Sequence, residues 1–322
     1  MATKTVNTLL NEGLSSVEAY LESLVTSDVK TLYDASQHIL TGGGKRVRPQ
    51  VVILAYLAAG GQEVEEVIPL ATAVETLHTA TLVHDDINDH SDMRRGKVSV
   101  PSRWGRTFAL LTGDYLFAKV YELMAPYGSP YNEIMSNTSV RLVEGETLQA
   151  LAAKSGEMDR ETYKKIISRK TASLFEASAH LGAQLAGAPE AEVEALADYG
   201  YNLGLTFQIV DDILDIVGDP DKLGKPTGLD MLQNRGVMMV QNGGTALTEI
   251  GSPATATIPA VLEDDPIQRM MENLRESGAV EVARTQAREM ANRARTALDQ
   301  LPDSEAREML YDLVDLVMER DK

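Results

Sequence analysis

Apolar residues recur three and four positions apart along most of this chain, and strict alternation is almost absent. That spacing is the helical one. Helices are predicted over 6–24, 29–40, 49–59, 71–89, 107–124, 132–153, 160–186 and 190–217, with three more near 265–276, 279–301 and 304–320. Gly42-Gly43-Gly44, Gly60-Gly61, Tyr127-Gly128-Ser129-Pro130 and Gly187-Ala188-Pro189 punctuate them, as residues that end helices do. The expected fold is all-α, a bundle in which long helices apolar on more than one face are wrapped by others. The period fails later in the chain, where Gly, Pro, Thr and Ala take over. The stretch near 219–236 reads as a lid over a site and that near 241–257 as a flexible surface loop. No linker before residue 218 is long enough to separate two bodies, so 1–322 is expected to form one domain.

Composition narrows the choice of partners. The 322 residues carry 48 acidic against 30 basic side chains, a net charge of −18. A balance that acidic argues against a general affinity for nucleic acid or anionic lipid. The absence of Cys removes disulfides and thiolate metal sites and fits a reducing cytoplasm. Residues 51–59, the longest apolar run, are far too few to cross a bilayer, and the first residues lack the apolar segment of a signal peptide. A soluble protein is expected.

Against this background the acidic residues are unevenly placed. Asp85, Asp86 and Asp89 follow the apolar run 79–83, and Asp211, Asp212 and Asp215 follow 207–210 with the same spacing. Positions i, i+1 and i+4 of a helix fall within about 100° of arc, so each triplet is expected to point three carboxylates into one small volume. One such cluster in an acidic chain is more often a solvated face. Two with the same spacing, each with basic groups in reach, point instead to divalent cations. Hard oxygen donors favour Mg²⁺ over Zn²⁺, and Mg²⁺ so held completes its shell with water and phosphate. The implied ligand is a diphosphate.

Several basic segments suit that ligand. Gly42-Gly43-Gly44-Lys45-Arg46-Val47-Arg48-Pro49 joins a flexible turn to a helix start and offers backbone N–H groups beside three cations, although it does not match the P-loop pattern. An ordinary solvated loop is the equally available reading of that segment alone. Arg94 and Arg95 come shortly after the first triplet, where guanidiniums can neutralise phosphate oxygens. Lys170, Thr171, Gln208 and Lys225 are unremarkable singly and complete a ring of donors only together.

Taken together, Gly43-Gly44-Lys45-Arg46-Val47-Arg48-Pro49, His84-Asp85-Asp86-Ile87-Asn88-Asp89 through Arg94-Arg95-Gly96, Gly113-Asp114-Tyr115, Lys170-Thr171, and Phe207 to Asp215 through Gly224-Lys225-Pro226 resemble the signatures of the trans-isoprenyl diphosphate synthases, also called polyprenyl synthetases, in family order. The resemblance spans nearly the whole chain. It implies an all-α isoprenoid synthase-type fold around a deep cavity, a homodimer in the cytoplasm, and condensation of isopentenyl diphosphate with an allylic diphosphate. It also implies that Asp85, Asp86, Asp89, Asp211, Asp212 and Asp215 hold Mg²⁺, three ions per site with substrate bound. Arg94, Lys170, Thr171, Gln208 and Lys225 would bind the allylic diphosphate, and Lys45, Arg48, His78 and Arg95 would seat isopentenyl diphosphate. Arg235 keeps a cation where relatives commonly show Lys-x-Thr-Leu-Pro, and His90 stands where many carry an acid.

Product length is expected to depend on Ala80 and Thr81, upstream of Asp85 on the same helix. One helical turn, about 5.4 Å, is comparable to one isoprene unit. Relatives with an aromatic residue five before the first Asp make short products; this chain has Ala80 there and lacks the two-residue insertion of many bacterial farnesyl synthases. Both points favour a long-chain product of the kind used in quinone tails, released with transient membrane contact. A short-chain synthase, a class I terpene cyclase and a non-catalytic subunit of a heteromeric synthase are the alternatives.

Overall fold

The computed structural model describes residues 4–156, 158–217, 276 and 278–320. Apart from one minimal hairpin, the described residues build only helices and their connections, in agreement with the expected all-α class. In chain order they are α1 (Val6–Leu24), α2 (Lys30–Leu40), α3 (Val47–Ala58), α4 (Val64–Asn88), strands β1 (Met93–Arg94) and β2 (Lys97–Val98), α5 (Val100–Trp104), α6 (Arg106–Met124), α7 (Ser129–Ser155), α8 (Arg160–Ile167), a π-helical segment Ser168–Ala172, α9 (Ser173–Ala186), α10 (Glu190–Val217), α11 (Ala279–Leu298) and α12 (Glu305–Met318). The lid expected near 219–236, the loop near 241–257 and most of the helix near 265–276 lie outside the described residues.

The chain divides into two compact units. The first comprises Met1–Ser139, Leu174–Gly200 and Thr296–Asp312, and the second Val140–Ser173, Tyr201–Arg295 and Leu313–Lys322. In the first unit α4 is the helix that others wrap: it packs against α1, α3 and chiefly α6, and buries residues on every face from Val64 to Ile87. It starts seven residues earlier than its apolar period suggests. Pro69 falls in the second turn, and a proline that early removes a single hydrogen bond without ending the helix. Glu65 and Glu66 in the first turn also suit the positive end of the helix dipole.

The second unit gathers its core from α8, α10 and α11, with Tyr163, Ile166, Ile167, Ile209, Ile213, Ala283 and Ala287 among the buried residues. The stretch 160–186, one helix by its sequence period, is two helices joined by the π-helical turn Ser168–Ala172, where the Ser173 N–H reaches back five residues to the Ser168 carbonyl. Such turns inside helices occur often at functional sites.

Candidate active site

The first unit carries three of the expected site segments. α4 ends at Asn88, and the Asp89 N–H caps it by bonding the Asp85 carbonyl. Asp86 is buried, its Oδ1 accepting from Arg94 Nε at 2.8 Å and Nη2 at 2.5 Å. Its Oδ2 is buried without a hydrogen-bond partner. Burial lifts the Asp86 carboxyl above its usual range, against the opposing pull of Arg94. Asp85 and Asp89 are half-buried, and His84 beside them places its Nε2 3.6 Å from Asp114 Oδ1.

The hairpin that follows delivers the paired arginines. Met93 pairs with Val98 and Arg94 with Lys97, leaving Arg95 and Gly96 as a two-residue turn with φ of 50° and 72°. Two successive positive φ values are what a twisted two-residue hairpin requires. Glycine meets this freely, whereas Arg95 is held in place: its Nη1 donates to the Gly43 carbonyl at 2.5 Å and its Nη2 stands 3.6 Å from Glu75 Oε1.

The Gly42–Arg48 segment is ordered by a residue the sequence did not mark as special. Arg46 caps α3 with a left-handed φ of 46° and turns its side chain into the core. It donates from Nε and Nη2 to Glu18, from Nη1 to Glu75 Oε1 at 2.6 Å and from Nη2 to the Leu40 carbonyl at 2.9 Å. Burial works against its charge, and the Glu18 and Glu75 pairings more than offset that. Lys45 stays exposed. Arg48 lies 4.6 Å over the Phe175 ring, and its Nε is buried without a hydrogen-bond partner. Burial first, and then the charge of Arg95, bring its guanidinium down to about 10 despite the pull of Glu75. His78 is held well below its ordinary value by burial and by the neighbouring Arg48. A half-buried arginine whose buried Nε is so weakly compensated calls for an anion.

The second unit carries the other segments. Tyr163 donates its hydroxyl to Asp212 Oδ2 at 2.7 Å, Gln208 Nε2 donates to Asp212 Oδ1 at 2.8 Å, and Thr171 Oγ1 donates to Gln208 Oε1 at 2.7 Å. This chain of bonds ties α8, the π-helical turn and α10 together. Lys170 in the same turn pairs with Glu146 of α7 at 2.5 Å. α7 approaches so closely that a Cβ on Gly145 would lie 2.6 Å from the Lys170 backbone nitrogen. Asp215 is buried, and Asp211 lies 3.5 Å from Arg320, whose guanidinium covers the Phe207 ring. Lys225 and Arg235 lie outside the described residues.

Among the described residues no three carboxylates or imidazoles are grouped so as to hold a metal ion. Like charges in one place repel, and each triplet is divided among protein partners: Asp86 goes to Arg94, Asp211 to Arg320, and Asp212 to Tyr163 and Gln208. The chemistry of the donors still fits a hard divalent cation, and the unpartnered Oδ2 of Asp86 is a ligating atom in waiting. Ala80 is fully buried and lines no space open to water, whereas Thr81, one turn before Asp85, is half-buried and donates its hydroxyl to the His78 carbonyl.

Tyr163, Glu146, Arg320, Glu18 and Glu75 were missed by sequence reasoning. Only Glu75 left a signal, an acid among the apolar residues of α4.

Comparison with known proteins gives the family. The sequence matches the polyprenyl synthetase family over residues 29–246. It is 38% identical to heptaprenyl diphosphate synthase component 2 of Geobacillus stearothermophilus, covering 100% of both chains. It is 39% identical to geranylgeranyl diphosphate synthase of Sulfolobus acidocaldarius over 71% of this chain and 72% of that one. The fold superposes on the crystal structure of polyprenyl synthase from Caulobacter crescentus, complexed with calcium and isoprenyl diphosphate, with a TM-score of 0.88 at 33% identity over 100% of both chains.

Proposed function

We infer that this chain, which belongs to the polyprenyl synthetase family and is a trans-prenyltransferase, joins isopentenyl diphosphate to a farnesyl- or geranylgeranyl-type allylic diphosphate and extends it to a long all-trans polyprenyl diphosphate for quinone side chains. The observation that carries the reading is Arg48, a half-buried side chain whose Nε is buried and unpartnered, beside His78 and Arg95. A diphosphate answers that demand, with Lys45 reaching it from the exposed side. Whole-length similarity to a heptaprenyl synthase component supports the long product.

Asp85, Asp86, Asp89, Asp211, Asp212 and Asp215 would hold Mg²⁺, three ions with substrate bound, which supplies positive charge to the departing pyrophosphate. Arg94, Lys170, Thr171, Gln208, Lys225 and Arg235 bind that diphosphate and stabilise charge as the allylic C–O bond breaks, its electron pair leaving with pyrophosphate. Lys45, Arg48, His78 and Arg95 orient isopentenyl diphosphate so that its double bond attacks the allylic cation. A proton then passes to pyrophosphate, and a longer allylic diphosphate remains. Residues 1–322 are read as one prenyltransferase domain; the lid expected near 219–236 lies outside the described residues.

The protein is read as a cytoplasmic homodimer. Exposed Phe108, Leu111 and Tyr121 on α6 of the first unit support a partnered surface. No described helix is long and apolar enough to cross a membrane, and transient membrane contact serves product release. A second reading follows from the name of the Geobacillus relative, a "component 2": the partner is a different chain. Incubation of the purified chain with isopentenyl diphosphate, farnesyl diphosphate and Mg²⁺, with products sized by mass spectrometry, tests all of this. Long polyprenyl products support the reading, geranylgeranyl diphosphate as end product replaces it with a short-chain synthase, and no product favours the heteromer.

A further inference from the structure

Glu75 is a buried carboxylate that the reaction above does not use. It sits on α4 about three turns before Asp85, with 2% of its surface exposed. Its Oε1 accepts from Arg46 Nη1 at 2.6 Å and lies 3.6 Å from Arg95 Nη2, and its charge is the main one sustaining the proton of Arg48. Those cations come from two separate turns of the backbone, the cap of α3 and the β1–β2 turn.

Arg46 and Arg95 are also two of the three described non-glycine residues with positive φ, the third being His90. A side chain disfavours that region, and a residue remains there only where its surroundings determine it. One carboxylate meets both. The two turns touch as well, since a Cβ on Gly44 would lie 3.0 Å from the Arg95 guanidinium carbon. Arg46 stands between Lys45 and Arg48 in the chain, and Arg95 follows Arg94. Arg94 is held separately by Asp86, so fixing these two backbone positions fixes where Lys45, Arg48 and Arg95 project.

We propose that Glu75 is the positioning residue of the isopentenyl diphosphate seat, joining the Arg46 cap and the Arg95 turn so that Lys45, Arg48 and Arg95 face one diphosphate. This rests on the function proposed above. Glu18 is the built-in control: it binds the same Arg46 guanidinium, whereas Arg95 pairs with Glu75.

The test compares Glu75→Gln and Glu18→Gln in the full chain, by calorimetric titration of isopentenyl diphosphate and by separate KM values for the two substrates. Glu75→Gln is expected to weaken isopentenyl diphosphate binding and raise its KM by about tenfold or more, with the farnesyl diphosphate KM within about twofold. Glu18→Gln is expected to change neither. Equal loss for both substrates makes Glu75 structural, and an unchanged or tighter isopentenyl diphosphate makes it a mere counter-charge; either overturns the proposal. Wild-type protein that binds no isopentenyl diphosphate refutes the seat itself, which separates that failure from failure of the positioning role. Where Glu75→Gln does not fold, Arg46→Lys, which keeps the charge and loses the fork, must show the same selective loss, and its absence overturns the proposal.

Discussion

Gly145→Ala tests whether the π-helical turn places the allylic diphosphate donors. The added Cβ would stand 2.6 Å from the Lys170 nitrogen and 3.0 Å from Lys170 Cα and Arg169 Cβ, the first contact about 1 Å inside the separation at which such atoms attract. Two of those atoms are backbone, so no rotamer change relieves the clash and the turn or α7 must move. Overpacking of this kind costs about 1–3 kcal/mol, and alanine returns about 1 kcal/mol of helix propensity, leaving a net loss of about 0–2 kcal/mol. The stability effect is modest; the catalytic effect is not. A shift of that size breaks the 2.5 Å Lys170–Glu146 pair and the 2.7 Å Thr171–Gln208 bond, and misplacement of positioning groups by about 1 Å costs about a hundredfold in rate. The assay is kcat/KM for farnesyl diphosphate beside urea denaturation, with Gly128→Ala as reference because its Cβ meets nothing closer than 3.8 Å. Turnover by Gly145→Ala within about twofold of wild type, or loss only in proportion to unfolding, would refute the argument.

Arg46→Ala leaves the buried Glu75 without its closest counter-charge and is expected to cost about 3–5 kcal/mol in urea denaturation; a loss below about 1 kcal/mol would show that Arg95 compensates. Tyr163→Phe removes the buried donor to Asp212 and is expected to cost about 1.5–3 kcal/mol, again by denaturation. Thr81→Phe places bulk one turn before Asp85 and is expected to shorten the products seen by mass spectrometry, whereas an unchanged distribution moves the length stop to another helix. Burial and Arg48 keep His78 neutral in the folded chain well below its ordinary value, while the unfolded chain takes up a proton near pH 6.5. Stability from this group is thus present above about pH 6.5 and falls by about 1.4 kcal/mol per pH unit below it. His78→Asn is expected to flatten that acid limb, measured as denaturation midpoint against pH.

The sequence was most legible where one physical signal dominated. α1 and α10 have the expected bounds because their apolar period is uninterrupted, and the Asp and Arg motifs stand where helices and turns end. α4 was cut short because Pro69 reads as a breaker unless its place in the helix is already known. The π-helical turn was invisible because it keeps helical composition and changes only the hydrogen-bond pattern. The partners Tyr163, Glu146, Glu18 and Arg320 come from distant parts of the chain, and no local spacing announces a contact made by tertiary folding.

The π-helical turn between Ser168 and Ala172 acts as a phase shift in an otherwise continuous helix. Each residue of an α-helix advances the direction of projection by about 100°, so deleting one residue within the turn would restore an uninterrupted helix while sending Lys170 and Thr171 to another side. Such a deletion costs little in helix formation and, on the roles proposed for Lys170 and Thr171, much in function. This stretch is consequently a place where evolution could silence the enzyme without unfolding it, leaving a stable, inactive protein of the same shape.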